Sequence, residues 1–183
     1  MWFTIAGIMA IAATLPILAF QLWMFIKPGL TSRERRASLA YIPAIFLLFV
    51  GGLVVGYIMF INLILPFLLS LNDGTFVEMF TAEKYFKFVF RITLPFAIIF
   101  EIPIIAMFLT SIGLLTPAFM RKIRKYAYFV LIIVATMVTP PDFILPIIVS
   151  IPFFLLYEIS IYLSATVYRK KEKKHQEFME AEA

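Results

Sequence analysis

Few side chains in this sequence could carry chemistry, and they do not form a catalytic set. The 183 residues include no cysteine and one histidine, His175, which stands in a charged tail. The sequence contains no HExxH pair for zinc and no GxxxxGK loop for a nucleotide. Asp73 stands in a loop and Asp142 at the end of an apolar segment, so the facing aspartates of an intramembrane protease are not supplied. We therefore predict a protein that is not an enzyme and uses no cofactor or metal.

Three glutamates in or beside apolar segments remain as functional candidates. Glu34 lies in the basic stretch SRERR, where an ordinary salt bridge with neighbouring arginines would explain it equally well. Glu158 lies near the inner end of the last apolar segment, and the favoured interpretation is a satisfied structural acid or a partner of nearby basic residues. Glu101 is the centre of LPFAIIFEIPIIAMFL, and a charged carboxylate in mid-membrane costs about 2.5–3.5 kcal/mol on insertion scales.

We expect Glu101 to face a groove or a partner helix, because hydrogen bonds from polar side chains would offset part of its cost there. On a helix, Glu101 shares a face with Ala97. The small side chain of Ala97 would let the backbone of a partner helix approach closely. The alternative for Glu101 is an internal strut that contributes only to the stability of the subunit.

The distribution of charged residues indicates whether the chain folds in water or in a lipid bilayer. The sequence is 63% hydrophobic, only 15% charged, and includes 21 phenylalanines, whereas soluble proteins contain about 25% charged residues. Residues 1–25 and 37–72 carry no charge at all. Apolar runs longer than about 18 residues indicate transmembrane helices. We predict a single all-α, polytopic transmembrane domain over residues 1–168 and a charged cytoplasmic tail over residues 169–183.

Five apolar segments are placed to cross or enter the membrane. They cover about 2–26, 39–69 and 88–115, then two shorter pieces on either side of TPPDFILP. The piece 126–138 would form only about 20 Å of helix, less than a hydrocarbon core of ~30 Å. It therefore thins the bilayer locally or forms one arm of a re-entrant hairpin. Prolines inside the segments predict kinked helices and a curved shell.

The basic residues alternate between loops, which predicts the orientation of the chain. The net charge of +5 is concentrated in KPGLTSRERR, RKIRK and RKKEKK, whereas NDGTFVEMFTAEKYFKF is balanced and TPPD is acidic. Basic loops stay in the cytoplasm under the positive-inside rule. We predict residues 27–36, 121–125 and 169–183 inside and residues 72–87 outside. The same alternation favours a membrane protein over a nucleic-acid-binding one, and it places residue 1 outside.

Five stretches, in this order and spacing, resemble the TatC family, the large subunit of the twin-arginine protein translocase. They are FQLWMFIKPGLTSRERR, LPFAIIFEIPI, LTPAFMRKIRKYAYF, VTPPDF and IPFFLLYEIS. The resemblance implies a concave, glove-like bundle of six helices with two short C-terminal helices. Members of this family begin with a cytoplasmic segment ending in a HLEELR-like motif and a first helix. We therefore expect this chain to start at the family's second helix.

The resemblance also implies a function at the cell membrane. It implies a receptor for folded proteins that carry an Arg-Arg signal peptide, driven by the proton motive force. It implies partnership with TatA-type and TatB-type single-span subunits, association of the receptor with itself, and contact with the lipid bilayer. By position in the motifs, it assigns signal-peptide binding to Glu34, Phe25 and Gln21, and partner-subunit docking to Glu101, Thr136, Thr139 and Asp142.

Two other classes of function stay open. A small-solute transporter or channel would need polar side chains along a continuous path, and Glu101 alone does not supply one. A truncated scaffolding fragment without receptor activity is favoured by the absence of the family's first segment, which supplies part of the twin-arginine site.

Overall fold

The computed structural model describes residues 41–70, 81–140 and 142–182, together with several isolated helical positions among the first 24 residues. In these ranges the chain is helical apart from short turns, and none of the described residues belongs to a β-strand. The helices are α1 (Tyr41–Met59), a π-helical segment (Phe60–Ile64), α2 (Leu65–Ser70), α3 (Ala82–Phe100), α4 (Ile102–Ser111), α5 (Pro117–Lys122), α6 (Arg124–Val138) and α7 (Ile144–Glu182).

The prediction of an all-α membrane protein is confirmed. Within the described ranges, three helical stretches are long and apolar enough to cross a membrane, namely Pro43–Ser70, Ala82–Ser111 and Ile144–Lys173. The second of them begins at Ala82, six residues before the predicted start of that span, because the aromatic and charged stretch continues directly into the apolar helix. The predicted first span, 2–26, lies mostly outside the described residues.

α1 lies directly against α3 because both helices present small residues along the line of contact. A Cβ added at Gly52 would stand 2.6 Å from the Ala97 Cα, and one at Gly56 would stand 2.9 Å from the Thr93 Cα. Small residues spaced four apart allow membrane helices to approach closely where lipid gives no hydrophobic driving force. The prediction that Ala97 admits a partner helix is wrong, because Gly52 of α1 already occupies that space.

The π-helical segment between α1 and α2 has a local cause in Pro66. Proline has no N–H to donate, so the turn before it must rearrange its carbonyl partners. Here the Leu65 N–H donates to the Phe60 carbonyl, five residues earlier. Phe60 is fully buried, and its ring stands edge-on to the rings of Tyr85 and Phe88, at centroid distances of 5.7 and 5.6 Å. The π-helical segment therefore packs against the start of α3.

α3 and α4 form one membrane-crossing stretch that is interrupted at Glu101. The ring of Pro103 would clash with the carbonyl of Ile99, four residues earlier, in an unbroken helix. α3 accordingly ends at Phe100, and α4 begins at Ile102, so that Pro103 stands in a first turn where proline is tolerated. Glu101 keeps near-helical angles of φ −77° and ψ −18°, and its carbonyl accepts from the N–H groups of Ile104 and Ile105, so the helical path continues through the break.

α7 packs against α3, α4, α5 and α6, so it is the central helix of the second half of the chain. The rings of Phe96 and Phe153 are 4.7 Å apart and join α3 to α7. The hydroxyl groups of Thr110 and Ser164 are 2.6 Å apart, and both residues are fully buried between α4 and α7. Aromatic packing and buried hydroxyl pairs thus hold α7 in place from two sides.

The last two helices differ in length. α6 has 15 residues, which agrees with the predicted short helix, whereas α7 has 39 residues. Lysine, glutamate, glutamine and alanine favour helix, so the charged sequence after residue 168 continues α7 as far as Glu182. Lys171 of this extension donates to the Ser111 carbonyl at 3.0 Å, where a cation suits the C-terminal end of α4.

Gly52→Ala is expected to destabilise the protein, because the added methyl group would meet the α3 backbone, which cannot move aside alone. We expect a loss of about 1–3 kcal/mol, the usual cost of overpacking, visible as a lower melting temperature in a nonionic detergent. Gly51→Ala is the matched control, since a Cβ there has nothing within 4 Å. Equal melting temperatures for the two variants would contradict the close contact of α1 and α3.

Candidate functional site

Glu101 has a carboxylate oxygen that is buried without a partner. No donor among the described residues reaches its Oε1. The residue lies ten positions before Ser111, or about 15 Å of helix, inside the crossing stretch Ala82–Ser111. A polar atom in an apolar environment is destabilising unless it is hydrogen-bonded. A donor from another molecule would therefore lower the free energy of this site.

The surroundings of Glu101 are packed on one side and open on the other. Ala97 and Ile104 are buried against the rest of the chain. Ile98 and Ile105, three residues before and four after Glu101, are 53% and 52% exposed. Glu101 as a whole is partly exposed, so it stands at the edge of an exposed apolar helix face on which a second helix can pack.

Thr139 and Asp142 lie together in the connection between α6 and α7. The Thr139 hydroxyl is buried and donates to the Ala135 carbonyl at 2.9 Å, at the end of α6. The Asp142 Oδ2 accepts from the N–H groups of Ile144 and Leu145 at 2.9 and 3.1 Å, so it caps the start of α7. The Leu145 bond is the main cause that lowers the pKa of the Asp142 carboxyl, which keeps the cap charged.

The structure brings three of the predicted docking residues to one end of the bundle. Thr136 is exposed one turn before Thr139, and its hydroxyl donates to the Ile132 carbonyl at 2.9 Å. Glu101 is not among them. α3 approaches this end through Arg91, whose Nη2 donates to the Met137 carbonyl at 3.2 Å. Arg91 is ten residues before Glu101, about 15 Å along the helix.

The predicted signal-peptide residues are described only in part. Gln21 is helical and exposed. Phe25 and Glu34 lie outside the described residues.

Glu158 is held by two residues of α6. Arg124 binds its carboxylate with both Nε and Nη2, at 2.9 Å to each oxygen, and the Tyr128 hydroxyl donates to Oε1. This two-pronged geometry is the strong form of an arginine–carboxylate pair, although partial exposure limits its contribution to stability. The prediction that Glu158 is a structural acid with a basic partner is confirmed.

A cleft lies at the same end of the bundle as Thr139, and no single sequence motif predicts it. It has a volume of about 530 Å³, and Lys84 and Arg91 are its two cationic lining residues. Lys84, Lys87 and Arg91 are spaced three and four apart, so they share one side of α3. That spacing is the signal in the sequence, whereas composition shows only a charge-balanced loop.

The described residues contain no group of three or more His, Cys, Asp or Glu that could hold a metal ion. What they offer is a set of acceptors and cations at the edges of apolar surfaces. Such an arrangement suits the recognition of helices, peptides and lipids.

The chain is similar to known components of one protein export system. Residues 1–152 match the family model described as TatC, Sec-independent protein translocase protein (TatC). The chain is 46% identical over 170 residues to Sec-independent protein translocase protein TatCd of Bacillus subtilis, covering 93% of this chain and 70% of that protein. It is 43% identical over 173 residues to TatC of Halalkalibacterium halodurans, covering 94% and 68%.

Solved structures give the same result. The crystal structure of the twin arginine translocase receptor TatC matches with a TM-score of 0.73 and 31% identity, covering 85% of this chain and 69% of that chain. A second crystal structure of the receptor TatC, in DDM, gives a TM-score of 0.74, also at 31% identity, over 86% and 70%.

Proposed function

This chain belongs to the TatC family of Sec-independent protein translocase proteins, and from that premise we propose that it binds the twin-arginine signal peptides of folded proteins and serves as the docking core for TatA-type and TatB-type subunits. The family is not an enzyme family, and the crossing helices make the chain a membrane protein. Transport is then driven by the proton motive force, in keeping with a sequence that has no nucleotide-binding loop.

The observation that carries the docking proposal is the buried, unpartnered Oε1 of Glu101. A polar side chain on an incoming single-span helix would supply the missing donor once the carboxyl group rotates towards the exposed face. The half-exposed Ile98 and Ile105 supply apolar contact area beside it. Charged groups inside a membrane face a protein or water contact rather than lipid, which supports a partner helix at this position.

Thr136, Thr139 and Asp142 support a second docking area at the α6–α7 connection. The Asp142 carboxylate uses Oδ2 for the cap of α7, and a carboxylate has about four acceptor positions, so capacity remains for a partner. Thr136 is exposed. We propose that partner subunits contact this area in addition to Glu101.

Signal-peptide binding is proposed for Glu34, Phe25 and Gln21. A guanidinium pair is matched best by carboxylates in two-pronged geometry, and Glu34 is the acid of the first basic loop. The resemblance places Phe25 and Gln21 near the same site. Of the three, the structure describes Gln21, which is exposed on a helix.

The orientation proposed for the chain has the basic loops and the C-terminus in the cytoplasm, in the cell membrane. Arg124 contacts α7 through Glu158, and Lys171 of α7 contacts the end of α4. The α7 residues in these two contacts are thirteen positions apart, about 20 Å of helix, and both are remote from the α6–α7 connection at the start of α7. This supports a common side for the basic residues. Self-association of the receptor, the transmembrane domain 1–168 and the cytoplasmic segment 169–183 belong to the same proposal.

The described polar residues favour a receptor over a small-solute channel. The buried Thr93, Ser150 and Ser160 each donate to a carbonyl of their own helix, three or four residues earlier. Thr110 and Ser164 bind each other. The hydrogen bonds of these hydroxyl groups are all made within the bundle, so the groups do not line a polar path for a solute.

The orientation is tested with single cysteines, since the natural chain contains none. Ala82→Cys and Lys122→Cys are both at exposed positions. In intact cells, an impermeant thiol reagent should label position 82 and leave position 122 unlabelled until the membrane is opened. Labelling of position 122 from outside would reverse the orientation.

Glu34→Ala and Glu34→Gln should both weaken crosslinking of a twin-arginine precursor to the receptor in membrane vesicles, because each removes the charge that pairs with guanidinium. We expect a loss of about tenfold, since hydrogen bonds to charged groups contribute about 1.5–3 kcal/mol. Glu172→Gln removes an equal charge from the exposed last helix and is the control. Unchanged crosslinking in both Glu34 variants would leave only a loop salt bridge at that position.

Glu101→Ala should reduce crosslinking to TatA-type or TatB-type subunits several-fold to tens-fold, because a buried membrane hydrogen bond contributes about 0.6–2 kcal/mol. Glu101→Gln can still hydrogen-bond and should retain most of the crosslinking. The melting temperature in detergent is measured in parallel. A lower melting temperature for Glu101→Ala with intact partner crosslinking would make Glu101 an internal strut and end the docking role.

A further inference from the structure

The cleft between α2, α3 and the end of α6 combines an apolar floor with a cationic rim. Leu65, Leu68 and Phe88, which are partly exposed, contribute to its floor, and Lys84 and Arg91 of α3 stand seven residues apart along its side. Seven residues are about two helical turns, or about 10 Å. The cleft is therefore long enough to hold a charged group beside Lys84 and Arg91 and an apolar chain on its floor.

The two cations of the cleft have no acidic partner in the described part of the chain. Arg91 donates one N–H to the Met137 carbonyl at 3.2 Å, which leaves four of its five donors. Lys84 is exposed, and neither it nor Arg91 forms a salt bridge with a described residue. Lys87, between them on the same helix, differs, because it is paired with Glu83 at 2.6 Å and does not line this cleft.

The short α6 explains why a polar group is accessible at this depth. Arg91 lies nine residues into the crossing stretch that starts at Ala82, about 14 Å along the helix. α6 has only 15 residues and ends at Val138, beside Arg91. A helix this short thins the bilayer around it, so lipid headgroups descend towards the level of Arg91.

We propose that this cleft binds an anionic glycerophospholipid. Its phosphate lies between Lys84 and Arg91, and an acyl chain lies on the floor formed by Leu65, Leu68 and Phe88. A zwitterionic lipid would bring its own cation to a rim that already carries two, so the charge favours an anionic headgroup. A wholly apolar partner helix would fill the floor but leave both cations against hydrocarbon, which is costly.

The test uses the purified full chain in a nonionic detergent and follows lipid binding by native mass spectrometry. Three probes separate the contributions: dioleoyl phosphatidylglycerol, dioleoyl phosphatidylcholine with the same acyl chains, and glycerol phosphate as the headgroup alone. We expect phosphatidylglycerol to bind at least about fivefold more tightly than phosphatidylcholine. Glycerol phosphate should bind much more weakly than either lipid, because it has no chain to bury.

The variants separate the cleft from general surface charge. Lys84→Gln should weaken phosphatidylglycerol binding about fivefold, the effect of about 1 kcal/mol per basic residue near a membrane surface. Lys84→Arg should retain the binding. Lys87→Gln removes the same charge one turn away, outside the cleft, and should change the affinity less than twofold. At position 91 we use Arg91→Lys, which keeps the charge, instead of a neutral variant. Arg91 also joins α3 to α6 through its bond to the Met137 carbonyl, so a neutral side chain there would disturb the packing as well as the charge.

A phosphatidylglycerol carrying a diazirine in its acyl chain locates the bound lipid directly. Crosslinks are expected on the peptides that contain Leu68, Phe88 and Val138, all of which line the cleft. Equal affinity for the two lipids, or equal losses in the Lys84→Gln and Lys87→Gln variants, would overturn the proposal. It would also fall if a single-span partner subunit, added to the wild-type chain, displaced the lipid and became crosslinked at position 68 instead.

Discussion

The contact of Gly52 and Gly56 with the α3 backbone is the constraint on which the rest of the structure depends. In a membrane, helices associate through close packing and hydrogen bonds, because lipid tails are as apolar as the side chains. The absence of a side chain at Gly52 lets α1 lie on Ala97, which fixes the rotation of α3 about its own axis. That rotation buries Phe96 against Phe153 of α7 and turns Glu101 towards the edge of the packed interior. A larger residue at Gly52 would therefore displace both Glu101 and the cleft that Lys84 and Arg91 line.

Proline and helix length then set where the polar groups lie along the membrane normal. Pro103 interrupts the crossing stretch at Glu101 and places this acid between two helices instead of inside one. The short α6 ends near Arg91, and Asp142 begins α7 by accepting two backbone N–H groups. The polar end of the bundle is thus brought deep into the stretch that α3 crosses, and Asp142 satisfies two of the backbone N–H groups that the start of α7 leaves without helical partners.

The sequence predicts those features that depend on local chemistry, and misses those that depend on which helices touch. Charge-free segments locate the crossing helices, and the TPPD stretch locates the boundary between α6 and α7. The acid Glu158 was predicted to have a basic partner, although not that Arg124 would bind it with two nitrogens. The predicted role of Ala97 is wrong. A small residue allows any helix to approach closely, and the sequence does not distinguish α1 of the same chain from a helix of another protein. The cleft beside Lys84 needs three separate elements to meet, and the sequence shows only the spacing of Lys84, Lys87 and Arg91 along α3.

Glu101 shows why an unsatisfied group persists in an otherwise well-paired bundle. The buried hydroxyl groups of α3, α4 and α7 all find an acceptor within the chain, so the fold is able to satisfy polar atoms inside it. Oε1 of Glu101 is the exception among the described residues, and it stands beside exposed apolar side chains, not in the centre of the core. An apolar residue there would remove the cost of an unpaired oxygen. The unpaired carboxyl oxygen therefore supports the proposed contact with a partner helix more than a role in the stability of this subunit alone.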